Sequence, residues 1–265
     1  MSLDALARPN GTFLMVAMDQ RESLRTMLGA EASDERVRSF KLAVAQALAP
    51  HASGFLIDRA HVDEVAPLVP QGLILAVDRL VQQPGEPVED TSLDVREEIP
   101  PGVAALMLLV IWRDDEHRAE RLAMARRFVA LAAEHDVLSV LEPVVRRDAQ
   151  IVEAARELGA VGPSLYKCQV PLGGRGPQEE IEARCREIDS VLRCPWVVLS
   201  QGVDPADFPA AVEAACRAGA SGILAGRAIW SQALADDELL RTVCAPRLEE
   251  LGRIVDEHGR PWREK

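Results

Sequence analysis

The chain has 265 residues, 48% of them hydrophobic, with a formal net charge of -12 and a pI near 5.0. That length and apolar content suit one large core, and the acidity argues against a nucleic-acid groove, which needs a basic footprint to neutralise phosphates. No apolar run approaches the roughly 18 residues of a membrane span, the longest being Val103 to Trp112, so neither nucleic acid nor membrane is expected as a partner.

Along the chain, short apolar runs alternate with longer stretches of helical periodicity, the pattern of parallel strands joined by crossover helices. The strand candidates are Phe13–Met18, Gly54–Ile57, Leu73–Val77, Ala105–Ile111, Leu138–Leu141, Ser164–Tyr166, Trp196–Leu199 and Gly222–Leu224. The first runs directly into Asp19, unlike a secretory signal, and a cytoplasmic location is expected. Between the strands lie amphipathic segments over Asp34–Ala49, Asp115–Glu134, Asp148–Leu158, Pro177–Leu192 and Pro205–Ala218, followed by a long last helix over Asp237–His258. The stretch Gln82 to Pro101, rich in Pro, Glu and Asp, breaks this rhythm and reads as a surface excursion: a lid, an oligomer contact or a solvated loop. Eight strand-helix units predict a (β/α)8 TIM barrel spanning 1–265 as one domain. An open doubly wound sheet is the rival, but no G-x-G-x-x-G follows the first strand. Cys168, Cys185, Cys194, Cys216 and Cys244 include no CxxC pair and read as reduced thiols. The five histidines are scattered without ligand spacing, so neither a metal nor another cofactor is expected.

A TIM barrel builds its active site at the carboxyl ends of its strands. Those positions are polar almost throughout: Asp19-Gln20, Asp58-Arg59, Asp78-Arg79, Trp112-Arg113, Glu142, Lys167, Ser200-Gln201-Gly202 and Gly226-Arg227. Any single one of them also suits a helix cap or a turn. Lysine usage narrows the choice, because 30 basic residues include only Lys41, Lys167 and Lys265. An imine needs an amine able to lose its proton, which arginine, with a pKa above about 12, does not supply. Lys265 is the last residue, and Lys41 lies in a helical segment as an outer-surface or interhelix charge. Lys167 closes the sixth strand, where burial in the mouth would disfavour its ammonium. Glu142 ends the neighbouring strand, placed to shuttle protons for that amine or to pair with Arg146 or Arg113. The loops at Gly202 and at Gly226-Arg227 offer bare backbone N–H groups and a guanidinium, suited to a phosphate or to turns alone.

The stretches Ala17-Met18-Asp19-Gln20-Arg21-Glu22, Leu108-Leu109-Val110-Ile111-Trp112-Arg113, Leu141-Glu142-Pro143-Val144-Val145-Arg146, Leu165-Tyr166-Lys167, Pro171-Leu172 and Gly176-Pro177-Gln178 recur in one family. So do Gly202-Val203-Asp204 and the run from Ala218 to Ala228. Over nearly its whole length the chain resembles the class I aldolases for sulfofructosephosphate and tagatose bisphosphate. Its ending, Cys244-Ala245-Pro246-Arg247-Leu248 and Leu251-Gly252, is similar to the sulfofructosephosphate branch. The resemblance implies an imine at Lys167, proton transfer by Glu142 and polar sugar contacts from Asp19 and Gln20. It also implies anion-binding loops at Gly202, Gly226 and Arg227, beside which the strand-end residues Ser200, Gln201 and Arg113 are expected as further substrate contacts. The implied reaction splits a ketose 1-phosphate, such as sulfofructose 1-phosphate, into dihydroxyacetone phosphate and an aldehyde, here sulfolactaldehyde. That activity would belong to sulfoglycolysis, and family precedent favours a homo-oligomer.

Three positions depart from the family pattern. Met107 stands where the family carries a second active-site lysine, on the strand face it shares with Leu109 and Ile111. Gln201 replaces a small residue, and Gln169 an acidic one. A tagatose bisphosphate aldolase and a phosphosugar-binding barrel without cleavage are the alternatives that these departures leave.

Overall fold

The computed structural model describes residues 1–29, 31–83, 86, 88–94, 98–201 and 203–265. In chain order the strands are β1 (Phe13–Met18), β2 (Gly54–Asp58), β3 (Leu73–Ala76), β4 (Asp78–Val81), β5 (Asp90–Leu93), β6 (Val103–Ile111), β7 (Leu138–Val144), β8 (Leu165–Gln169), β9 (Trp196–Leu199) and β10 (Gly222–Ala225). The helices are α1 (Glu22–Leu28), α2 (Asp34–Leu48), α3 (Val62–Val65), α4 (Arg118–Glu134), α5 (Ile151–Gly159), α6 (Gln178–Val191), α7 (Phe208–Arg217), α8 (Arg227–Trp230) and α9 (Ala245–His258).

Eight of the strands close into a ring in the order β1, β2, β3, β6, β7, β8, β9, β10, each pairing parallel with its neighbours. This is the (β/α)8 barrel that the sequence predicts, and the reason is the composition of its strands. Parallel strands covered on both faces must be apolar on both, and alternate residues divide between two cores. Met15, Ala17, Leu56, Ile74, Ala76, Met107, Val140, Leu165, Val197 and Leu224 fill the interior. Val16, Phe55, Leu75, Leu108, Leu141, Tyr166 and Val198 face outward against helix residues such as Phe40, Val44, Phe128, Ile188, Val212 and Leu248. Leu3, Leu6, Phe13 and Trp262 join the inner cluster at the amino ends of the strands, so the barrel is plugged below and open only above.

The stretch from Gln82 to Pro101 is not wholly irregular. β5 lies in it and pairs antiparallel with β4, Asp78 opposite Leu93, and Asp94 N–H returns to the Val77 carbonyl at 2.7 Å. The hairpin escaped the periodicity reading because Asp-Thr-Ser-Leu offers only two strand-forming residues amid Pro and Glu. Residues 84, 85, 87 and 95–97 of this stretch lie outside the described residues. The short helices α1, α3 and α8 also carry too few turns to show a period. The last helix begins with a π turn over Leu240–Cys244 and becomes regular at Ala245. No helix among the described residues is long and apolar enough to cross a membrane.

One glycine is required where the ring closes. Gly222 has φ of 138°, and a Cβ there would lie 1.9 Å from the Phe13 carbonyl oxygen, its register partner on β1. Gly222→Ala is therefore expected to destabilise the fold by about 2–4 kcal/mol in urea unfolding, through strain and backbone displacement. A change below about 0.5 kcal/mol, the usual range for a neutral surface site, would contradict this reading.

Candidate active site

Above the inner core the alternating positions turn polar. A cavity of about 1070 Å³ opens there, lined by residues that include Asp19, Gln20 and Arg21 after β1, Asp78 after β3, and Leu109 and Ile111 of β6. Glu142 and Arg146 border it at β7, Lys167 and Gln169 at β8, Ser200 and Gln201 after β9, and Gly226 and Arg227 after β10. The register pairs Val140 with Leu165, so two residues further on Glu142 and Lys167 stand side by side on the inner face. Lys167 Nζ donates to Glu142 Oε2 at 2.6 Å, with the side chains 4% and 8% exposed. Burial pushes the Glu142 carboxyl up to about 7, Lys167 acts against this, and Asp19 and Asp78 add to it. A carboxyl in that range can take up and return a proton at neutral pH.

The cavity gathers most of the residues expected from the sequence. Asp19 and Gln20 line it, and Asp19 Oδ1 and Gln20 Oε1 are both buried without a hydrogen-bond partner. Buried Ser200 accepts a 3.4 Å hydrogen bond from Ala228 N–H, which joins the β9 and β10 loops. Gln201 is exposed at the rim, and Gly202 lies outside the described residues. Gly226 packs so tightly on β1 that a Cβ would come within 2.6 Å of the Ala17 carbonyl oxygen. Gln169 is spent on the backbone, accepting from Val145 N–H at 2.7 Å and donating to its carbonyl at 3.3 Å. Met107 does point inward, fully buried in the apolar layer below the mouth. Leu109 of the same strand is the residue in register with Glu142.

Arg113 is not among the residues lining the cavity. Inward parity along β6 through Met107, Leu109 and Ile111 would carry it there, but the strand stops at Ile111. The chain then turns Arg113 to Asp90 of the hairpin at 2.9 Å and to Asp115 at 3.2 Å. Arg146, weighed in the sequence as a partner for Glu142, lines the cavity instead, and Glu142 pairs with Lys167.

A model of the DeoC/LacD family aldolases matches residues 13–232. The chain belongs to that family. It is accordingly a lyase of the aldolase type. Among curated relatives, tagatose 1,6-diphosphate aldolase 2 of Enterococcus faecalis is 25% identical over 316 aligned residues, covering 100% of this chain and 95% of its own. The tagatose 1,6-diphosphate aldolase of Listeria monocytogenes is 25% identical, covering 98% and 92%. Two solved structures share the barrel. A Schiff-base-forming fructose-1,6-bisphosphate aldolase superposes with a TM-score of 0.69 at 19% identity over 96% of this chain and 98% of its own. The fructose-bisphosphate aldolase of Plasmodium falciparum gives 0.71 at 11% identity over 97% and 93%.

A second group of charges was not selected from the sequence. Lys41 is not an outer-surface charge: it is fully buried, and its Nζ is ion-paired with Asp58 and donates to the Met18 carbonyl at 3.3 Å. The signal was present in the spacing, because Lys41 shares the inner face of α2 with Val37, Phe40 and Val44. Asp58 also accepts from Ala60 N–H at 3.1 Å and meets His61 Nδ1 at 2.8 Å. Burial opposes ionisation of Asp58, yet His61 and Lys41 hold its carboxyl down at about 2. Burial lowers the pKa of Lys41, with Asp58 working against it. The two partners thus carry opposite tendencies, and the pair is better understood as a fixed tie between α2 and the top of β2 than as a source of net stability. These groups line a smaller cavity of about 620 Å³, which shares Arg21, Asp78 and Leu80 with the larger one. Lys41→Met strands Asp58 as a buried, half-compensated charge and is expected to cost about 3–5 kcal/mol in chemical unfolding. A loss under about 1 kcal/mol, the scale of an exposed pair, would show that the tie is dispensable.

Proposed function

We propose that this aldolase works through an imine at Lys167, reversibly cleaving a ketose 1-phosphate to dihydroxyacetone phosphate and an aldehyde. The observation that carries the reading is the buried contact between Lys167 Nζ and Glu142 at the top of adjacent barrel strands. Transfer of the Lys167 proton to Glu142 frees the amine to attack the C2 carbonyl. The same carboxyl then returns a proton so that the carbinolamine expels water. In the iminium, the C3–C4 electron pair moves into the C3–C2 bond and forms an enamine. The C4 hydroxyl proton passes to a carboxylate at the site, Glu142 or Asp19, and the aldehyde departs. Protonation at C3 and addition of water release dihydroxyacetone phosphate.

Ser200, Gln201, Gly202, the Gly226 backbone and Arg227 are assigned to the C1 phosphate, and Gln20 to the sugar hydroxyls. The lining of the cavity by Ser200, Gly226 and Arg227 supports this division. Sulfofructose 1-phosphate or a close analogue is the substrate that the C-terminal signature favours. The curated relatives, acting on tagatose 1,6-diphosphate by their names, support that ketose as the alternative.

Borohydride with dihydroxyacetone phosphate is expected to leave a mass adduct on Lys167. Lys167→Met is expected to remove both the adduct and turnover, and an adduct elsewhere, or none, would overturn the imine reading. Glu142→Gln is expected to slow cleavage by about 10²–10⁴-fold. Because the Glu142 carboxyl is raised to about 7 and must begin as the base, kcat/KM should fall as pH drops through that value. An acid limb that survives Glu142→Gln unchanged would assign it to another group.

A further inference from the structure

Ring order fixes what lies across the mouth from each loop. From β9 to β3 the path is β8, β7, β6 one way and β10, β1, β2 the other, so the two strands are diametrically opposed. A ketose with C2 on Lys167 and its C1 phosphate at the β9 and β10 loops therefore runs its remaining carbons toward the end of β3. Asp78 stands there. It follows Ala76 by two residues, is only 6% exposed and borders both cavities. Arg21 Nη2 meets Asp78 Oδ2 at 3.1 Å, and Arg21 Nη1 donates to the Asp78 carbonyl at 3.0 Å. The other carboxylate oxygen, Oδ1, is buried without a hydrogen-bond partner. A buried acceptor left unpaired is costly, and a donor supplied by a bound molecule would remove that cost.

We propose that Asp78 is a substrate-contacting specificity residue whose Oδ1 accepts a hydrogen bond from the C5 hydroxyl, on the aldehyde-derived half of the ketose, while Arg21 fixes the carboxylate's angle. This rests on the reading that C2 is held by Lys167. Burial, reinforced by Asp19 and opposed by Arg21, raises the Asp78 carboxyl to about 6. It is thus mostly ionised, and an acceptor, at neutral pH. A site built around such a contact discriminates strongly against an analogue lacking the hydroxyl, because the acceptor is then left unpaired.

The test runs the reaction toward synthesis from dihydroxyacetone phosphate with glyceraldehyde or with 3-hydroxypropanal, which lacks only the hydroxyl that becomes C5-OH. The wild-type enzyme is expected to prefer glyceraldehyde in kcat/KM by about 10–100-fold. In Asp78→Ala the preference should shrink to within about 3-fold, chiefly through a higher aldehyde KM. Asp78→Asn, which keeps a hydrogen-bonding group there, is expected to retain most of the preference. Equal use of the two aldehydes by the wild type, a comparison that needs no variant, overturns the proposal, as does an undiminished preference in Asp78→Ala. Turnover of neither aldehyde, which leaves no preference to assign to Asp78, also overturns the proposal, whereas failure of trapping in the wild-type enzyme would overturn the imine reading and this one with it.

Discussion

Lys167 and Glu142 form an ion pair placed where water hardly reaches, and the rest of the upper barrel is arranged around that contact. Removing two charges from water is costly unless the geometry is good and further groups share the load. The register of β7 on β8 supplies the geometry. Burial, opposed by Lys167 and reinforced by Asp19 and Asp78, raises the Glu142 carboxyl to about 7, ready to give or take a proton. The same contact explains why the fold must be stiff there. A slip of one residue between the strands would turn one partner outward among the helices.

Met107, at the position where the family resemblance leads one to expect a second lysine, finds a local context in this frame. The position is fully buried, in register with Ala76 and Val140 of the inner core, so the floor beneath Lys167 is apolar. Cations at the mouth come instead from above, from Arg21, Arg146 and Arg227. Arg21 is committed to Asp78, and that commitment makes the β3 side of the mouth a polar wall rather than an anion trap.

Much of this was legible in the sequence, and the failures have physical causes. The eight barrel strands could be read because burial on both faces leaves them as apolar runs, and Lys167 and Glu142 because each ends such a run beside the other. The β4–β5 hairpin was invisible because its pairing is short and half exposed. Arg113 stands past the end of β6, where its ion pairs with Asp90 and Asp115 depend on the hairpin and the following loop and leave no mark in the strand pattern. Lys41 was misjudged because a lone cation on a helix is ordinarily solvated, and only its coincidence with the face of Val37, Phe40 and Val44 spoke otherwise. Asp78 was visible as a strand-end carboxylate, but its unpaired oxygen is a tertiary property that no pattern carries.

Asp78 is also the first residue of the hairpin strand β4. The buried pair of Lys167 and Glu142 is anchored on β7 and β8, deep in the sheet, whereas this carboxylate belongs to a hairpin that is no part of the closed ring. Insertions and substitutions between β4 and β5 can therefore remodel the far wall of the mouth while the amine and its partner stay put. Such a division lets the shape of the entrance change by rewriting one appendage.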